Sequence, residues 1–167
     1  LRRKTHAISD EELRPWFPVE RVMAGLFQLV EKLFSIRVEL LEDVQSWHDD
    51  VRYYRITDAA GSDRGGFYTD LYARAHKRGG AWMDDCIGRV DVCGRHVLPV
   101  AHLVCNFMPP VNGRPALLSH DEVLTLFHEF GHTLHHLLTR IGYPRVAGIN
   151  GVAWDAVELP SQFMENF

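Results

Sequence analysis

The run Phe127-His128-Glu129-Phe130-Gly131-His132 constrains this chain more than any other stretch. It has the form H-E-x-x-H, and on a helix two imidazoles four positions apart share one face. At ~100° and ~1.5 Å per residue, His132 is turned about 40° from His128 and lies about 6 Å further along the axis. Both rings therefore reach one ion, and zinc is the metal that takes such a pair in tetrahedral geometry. Glu129 is rotated by about 100°, far enough not to compete as a ligand and close enough to act as general base on a water beside the metal. A chance match in a chain of this histidine and glutamate content has a probability of roughly 4%, so the surrounding sequence matters. That context is helical over about 121–139. Ser119 followed by Glu122 has the form of a capping box, and Val123, Leu126, Phe127, Phe130, Leu134, Leu137 and Leu138 recur at spacings of three and four, building a core-facing stripe.

Two histidines leave a catalytic zinc short of a third protein ligand. His135 and His136 stand one turn further on the same rigid helix, where the geometry for a shared ion is poorer. The other candidates, Asp155, Glu158 and Glu165, follow a loop that holds Gly142, Pro144, Gly148 and Gly151 and can reverse the chain. Residues 154–167 read as a second helix, with Pro160 demanding a kink or a fresh start. Glu158 is the expected third ligand, brought beside the first helix by that reversal. Asp155, one turn earlier, is expected to orient a ligand histidine through its second ring nitrogen. Glu165, two turns beyond Glu158, is expected to be too distant.

The remainder reads as one unit. Residues 1–50 form a helical lead-in, with a helix over 20–32; 51–118 form a β-rich subregion; 119–167 form the metal-site helices. Residues 51–57 and 66–73 flank Asp58 to Gly65 and predict a hairpin, whose tyrosines are explained by an antiparallel sheet that is packed on one face. Lys77 to Asp85 predicts a tight return placing Trp82 in the core. Residues 98–107 predict a strand; as an edge beside the metal helix it would let an extended peptide add by backbone pairing.

Composition excludes several classes. With 167 residues and a formal net charge of -4, the chain has no general attraction for nucleic acid or acidic membranes, and Arg2-Arg3-Lys4 reads as a solvated end. No apolar run reaches about eighteen residues, so no membrane span is expected. No secretory leader is evident, and a start at Leu1 is expected of a fragment or trimmed chain. Cys86, Cys93 and Cys105 show no C-x-x-C pattern and are expected to be free thiols in a reducing compartment, which places the chain in the cytoplasm.

Phe127-His128-Glu129-Phe130-Gly131-His132 together with Asp155-Ala156-Val157-Glu158-Leu159-Pro160-Ser161-Gln162 closely resembles the thimet oligopeptidase (M3) family of zinc metallopeptidases. Leu134 to Arg140, Phe163 to Asn166, Trp16-Phe17-Pro18, Asp70 to Arg74 and Gly79 to Asp85 extend the resemblance over nearly the whole chain. The resemblance implies an α+β fold: a mainly helical, zincin-like core with a small antiparallel sheet, in which the H-E-x-x-H helix packs beside a second ligand-bearing helix. It implies one Zn²⁺ held by His128, His132 and Glu158, with Glu129 as general base and proton carrier, and hydrolysis of short peptides within a channel. The strand holding Ala101, His102, Leu103, Val104, Cys105 and Asn106 would line the substrate path. Family members are several times longer, so this chain is expected to be the zinc-bearing middle of such an endopeptidase, lacking N- and C-terminal parts of the same protein. A dipeptidyl carboxypeptidase of the same family, or a zinc-binding fragment inactive by itself, are the alternatives.

Overall fold

In the computed structural model, which describes residues 10–167, two long helices pack on one face of a five-stranded sheet. The basic cluster Arg2-Arg3-Lys4 lies outside the described residues. After a short helix α1 (Asp10–Leu13), α2 (Val19–Phe34) starts directly behind Pro18, whose extended backbone suits the residue before a first turn. It buries Val22, Met23, Leu26 and Val30 and ends at Ser35, which takes the left-handed conformation at φ 54°. The strands are β1 (Ile36–Leu41), β2 (Arg52–Asp58), β3 (Asp63–Tyr72), β4 (Trp82–Ile87), β5 (Val90–Val92), β6 (Arg95–Val97) and β7 (Val100–Phe107). Helices α3 (His120–Leu137) and α4 (Leu159–Met164) follow.

The hairpin of β2 and β3 forms as the sequence predicts. Asp58 closes it by accepting the backbone N–H groups of Ala60 and Ser62, an Asx turn that the loop composition encodes. Phe67 of β3 is fully buried where α2 and α3 meet the sheet, its ring against Phe27, Tyr54 and Phe130. Tyr53 and Tyr68 pack together on the other face, with Trp47 and His102 beside them.

The strand order is β1-β2-β3-β7-β4, antiparallel apart from the parallel pair β3 and β7. This corrects the expectation that residues 98–107 form an edge. β7 is paired on both sides, its backbone occupied by β3 and β4. Ala101, Leu103 and Cys105 point into the core with 0% exposure, and Val104 is buried too, so these side chains cannot line a substrate path; His102 and Asn106 are half-buried on the opposite face. The edge is β4. Its Asp84 and Asp85 are exposed, carrying the charge that commonly keeps an edge strand from pairing indiscriminately. Trp82 is not in the core either. It lies half-buried on this edge with the Arg78 guanidinium 5.3 Å from its ring centre, because the return from β3 leads into a strand and not into the interior.

A carboxylate is enclosed within the sheet. Asp70, 4% exposed, accepts hydrogen bonds from Trp47 Nε1 (3.0 Å), from both terminal nitrogens of Arg74 (2.6 and 2.7 Å) and from Lys77 Nζ (2.8 Å). Lys77 Nζ also donates to the carbonyls of Asp70, Tyr72 and Cys105, so the ammonium ties the loop after β3 to β7.

Candidate metal centre

Helix α3 starts where its sequence says it should. Ser119 Oγ accepts the Glu122 N–H at 3.2 Å and Glu122 Oε2 accepts the Ser119 N–H at 2.7 Å, completing the capping box. The stripe of Leu126, Phe130, Leu134 and Leu137 is buried against the sheet, which fixes the helix rotation and turns His128 and His132 away from it. Their ring centres are 5.0 Å apart.

Glu158 is brought to these rings by a close contact at Gly131. A Cβ on Gly131 would stand 2.6 Å from both the Pro160 carbonyl oxygen and Ser161 Cα, so only glycine lets α4 approach this near. Glu158 Oε2 then lies 3.2 Å from His128 Nε2 and 3.1 Å from His132 Nε2. One donor atom from each of the three residues lies within 4.8 Å of the others. Bond lengths of ~2.0–2.1 Å in a tetrahedral zinc site put neighbouring ligand atoms about 3.3 Å apart, which these separations match.

The polar chemistry at this point is incomplete without a cation. His128 Nδ1–H donates to Glu165 Oε1 at 2.6 Å, leaving Nε2 as a lone-pair acceptor aimed at a carboxylate oxygen. Two acceptors facing each other at 3.2 Å need a proton or a metal between them. Ser161, fully buried, donates its hydroxyl to Glu158 Oε2 at 2.8 Å; this bond, with the neighbouring His132 and His128, lowers the Glu158 carboxyl despite partial desolvation. Burial pushes His132 down, favouring the neutral ring that a metal needs. Glu129 is shifted the other way. Burial raises its carboxyl, opposed by His128 and by the nearby Met83 backbone of β4.

The second helix departs from expectation. Residues 154–158 are successive turns, and α4 is a fresh start at Leu159 with Pro160 in its first turn, so Glu158 caps the helix and is not inside it. Offsets of one helical turn therefore do not apply before Glu158. Asp155 is exposed, and among the described residues it makes no hydrogen bond to either histidine. The orienting carboxylate is Glu165, the residue the spacing argument set aside: one short helix carries it back along α3 to the far nitrogen of His128. Sequence reasoning also missed Gly131 and Ser161 as parts of the site, although a glycine within the motif was a readable sign of close backbone approach. His135 and His136 stay outside the cluster, and His136 Nε2 instead hydrogen-bonds the Ile87 carbonyl. Cys105 offers no thiolate, since burial, with Glu129 nearby, pushes it up to about 12.

A family model described as peptidase family M3 matches residues 1–167. Among curated proteins, oligopeptidase A of Haemophilus influenzae is 60% identical over 97% of this chain and 24% of its own length. Oligopeptidase A of Escherichia coli is 58% identical over the same shares, and a dipeptidyl carboxypeptidase of Salmonella typhimurium is 40% identical over 100% of this chain and 24% of its own. The chain thus spans about a quarter of the length of the relatives it matches.

Proposed function

The chain belongs to peptidase family M3, matched along residues 1–167, and from that premise we propose that it is the metal-bearing part of a zinc endopeptidase acting on short peptides. The observation that carries the reading is the convergence of His128 Nε2, His132 Nε2 and Glu158 Oε2, with the raised carboxyl of Glu129 beside them. These three side chains would hold one Zn²⁺, and a bound zinc supplies Lewis-acid polarisation of a carbonyl and of water.

The chain's own residues do the rest. Glu129 takes a proton from the attacking water and returns it to the leaving amine, a role suited to a carboxyl raised by burial. Glu165 holds His128 in the tautomer that presents Nε2, and Ser161 holds Glu158 ionised and aimed. The β4 edge is the surface to which an extended peptide adds, because among the described residues β4 pairs with β7 alone and it packs against the helix that carries Glu129. Peptides recognised by backbone pairing along one edge are selected for extended shape more than for a particular side chain.

A dipeptidyl carboxypeptidase is the second reading, favoured by the 40% identity to such an enzyme over the full chain. No helix among the described residues is long and apolar enough to cross a membrane, and three unpaired cysteines, two of them exposed, support a reducing compartment such as the cytoplasm. The test is zinc stoichiometry on the full-length polypeptide, coupled to mass-spectrometric analysis of peptide products before and after chelation. One zinc with internal cuts abolished by chelation is the expected result. Products that persist without metal would overturn it, and uniform release of C-terminal dipeptides would select the second reading. The 167-residue chain alone is expected to bind zinc without efficient turnover.

A further inference from the structure

Glu129 and His136 are seven residues apart on α3, two turns on one face, so both look toward β4. Near one end of β4 the Met83 backbone meets Glu129; at the other end His136 Nε2–H donates to the Ile87 carbonyl at 3.0 Å. Between them the β4 ladder carries a bulge: the register with β7 shifts between Asp85 and Ile87, and Ile87 then pairs with Val100, so this end of the edge is held by a single pair beyond the bulge. A third tie comes from the loop that leads to Glu158, where Asn150 Nδ2 donates to Asp85 Oδ2 at 3.0 Å. The same loop packs on His136, since a Cβ at Gly148 would stand 2.7 Å from its Nδ1.

His136 is 0% exposed, and its Nδ1 has no hydrogen-bond partner. For packing alone, a half-satisfied imidazole is inferior to an apolar side chain, because it carries a desolvation cost without the second bond. Its placement has a geometric use. We infer that His136 is a positioning residue that fixes the β4 edge against the metal helix, through the Ile87 carbonyl, and thereby sets which peptide bond of an edge-paired substrate lies beside Glu129.

This rests on the peptidase reading and is tested on the full-length polypeptide with two amide variants. His136→Gln places an amide N–H where Nε2 stands, whereas His136→Asn reaches only the Nδ1 position and leaves the Ile87 carbonyl unpaired. Both are polar amides that lack the imidazole ring, so loss of ring packing affects both. The readouts are zinc stoichiometry, hydrogen exchange of the amides of 82–87, and the distribution of cut sites in one peptide. The Asn variant is expected to keep its zinc, to exchange the β4 amides about fivefold faster, as loss of one hydrogen bond implies, and to spread its cuts to neighbouring bonds. The Gln variant is expected to restore slow exchange and the single cut. Equal exchange and identical cut sites in the two variants would overturn the inference, as would failure of both to fold while His136→Leu folds with wild-type exchange. Absence of zinc and of chelator-sensitive products in the wild type would instead sink the peptidase reading, and the exchange comparison would still decide whether His136 holds the edge.

Discussion

Asp70 and Glu158 are both carboxylates set among nitrogen-bearing side chains, yet the protein encloses the first and leaves the second open. Asp70 is surrounded by the donors of Trp47, Arg74 and Lys77. Burial alone would raise it, but those hydrogen bonds prevail and hold its carboxyl at about 2. Glu158, with its side chain 50% exposed, receives one hydroxyl and faces the Nε2 atoms of two imidazoles at 3.2 and 3.1 Å. In the first cluster donors and acceptors are matched, so it can only stabilise. In the second, one atom from each of three side chains converges on a point open to solvent, the set a metal takes.

The comparison breaks most sharply through Glu129→Gln. If Glu129 is the proton carrier proposed above, its loss is expected to lower kcat of the full-length protein by about 10²–10⁴ while zinc occupancy and melting temperature stay unchanged; wild-type turnover would remove Glu129 from the mechanism. The enclosed cluster should respond in the opposite currency. Asp70→Asn leaves Lys77, with its side chain 5% exposed, without its counter-charge, and is expected to cost about 3–5 kcal/mol in denaturant unfolding with little effect on metal affinity. Acid titration sharpens the same point. A carboxyl at about 2 when folded and near its ordinary value when unfolded contributes stability that is complete above about 4 and lost as pH falls toward 2. That contribution is about 2 kcal/mol, and the Asn variant should show a correspondingly flatter acid limb.

In the open cluster, Ser161→Ala removes the hydroxyl that lowers Glu158. Zinc affinity is expected to fall about 10–100-fold, and the acid-side loss of zinc to move to higher pH, since a carboxylate deprived of its donor protonates more readily. The smallest effect is expected at the far end of the helix: Ser119→Ala should cost about 1 kcal/mol of stability, through the lost cap, without changing metal affinity.

The contrast also marks what the amino-acid order discloses. Helix α3 was legible because its capping box, its apolar spacing and its motif are all local and agree with one another. Asp155 was misread and Glu165 overlooked for one local reason, that Pro160 restarts the helix and cancels the angular arithmetic of the residues before it. The strand order was less accessible, because β3 and β7 pair in parallel although residues 73–99 separate them, and no spacing rule announces that β7 and not β4 lies beside β3. Even so, the buried run of β7 had the near-continuous apolar character of an interior strand, and Asp84-Asp85 had the charge of an edge.

That parallel pairing bears on how the molecule is made. β1, β2 and β3 form one antiparallel unit with short connections; β4 and β7, joined through β5 and β6, form another. Each can assemble from neighbouring chain, whereas the seam between β3 and β7 requires distant segments to meet and is the slow, non-local step. Helix α3 packs on β3, β4 and β7, astride that seam, and is synthesised after all of them. The two histidines therefore stand on a platform that draws on both units of the sheet, and their orientation depends on the seam that joins them.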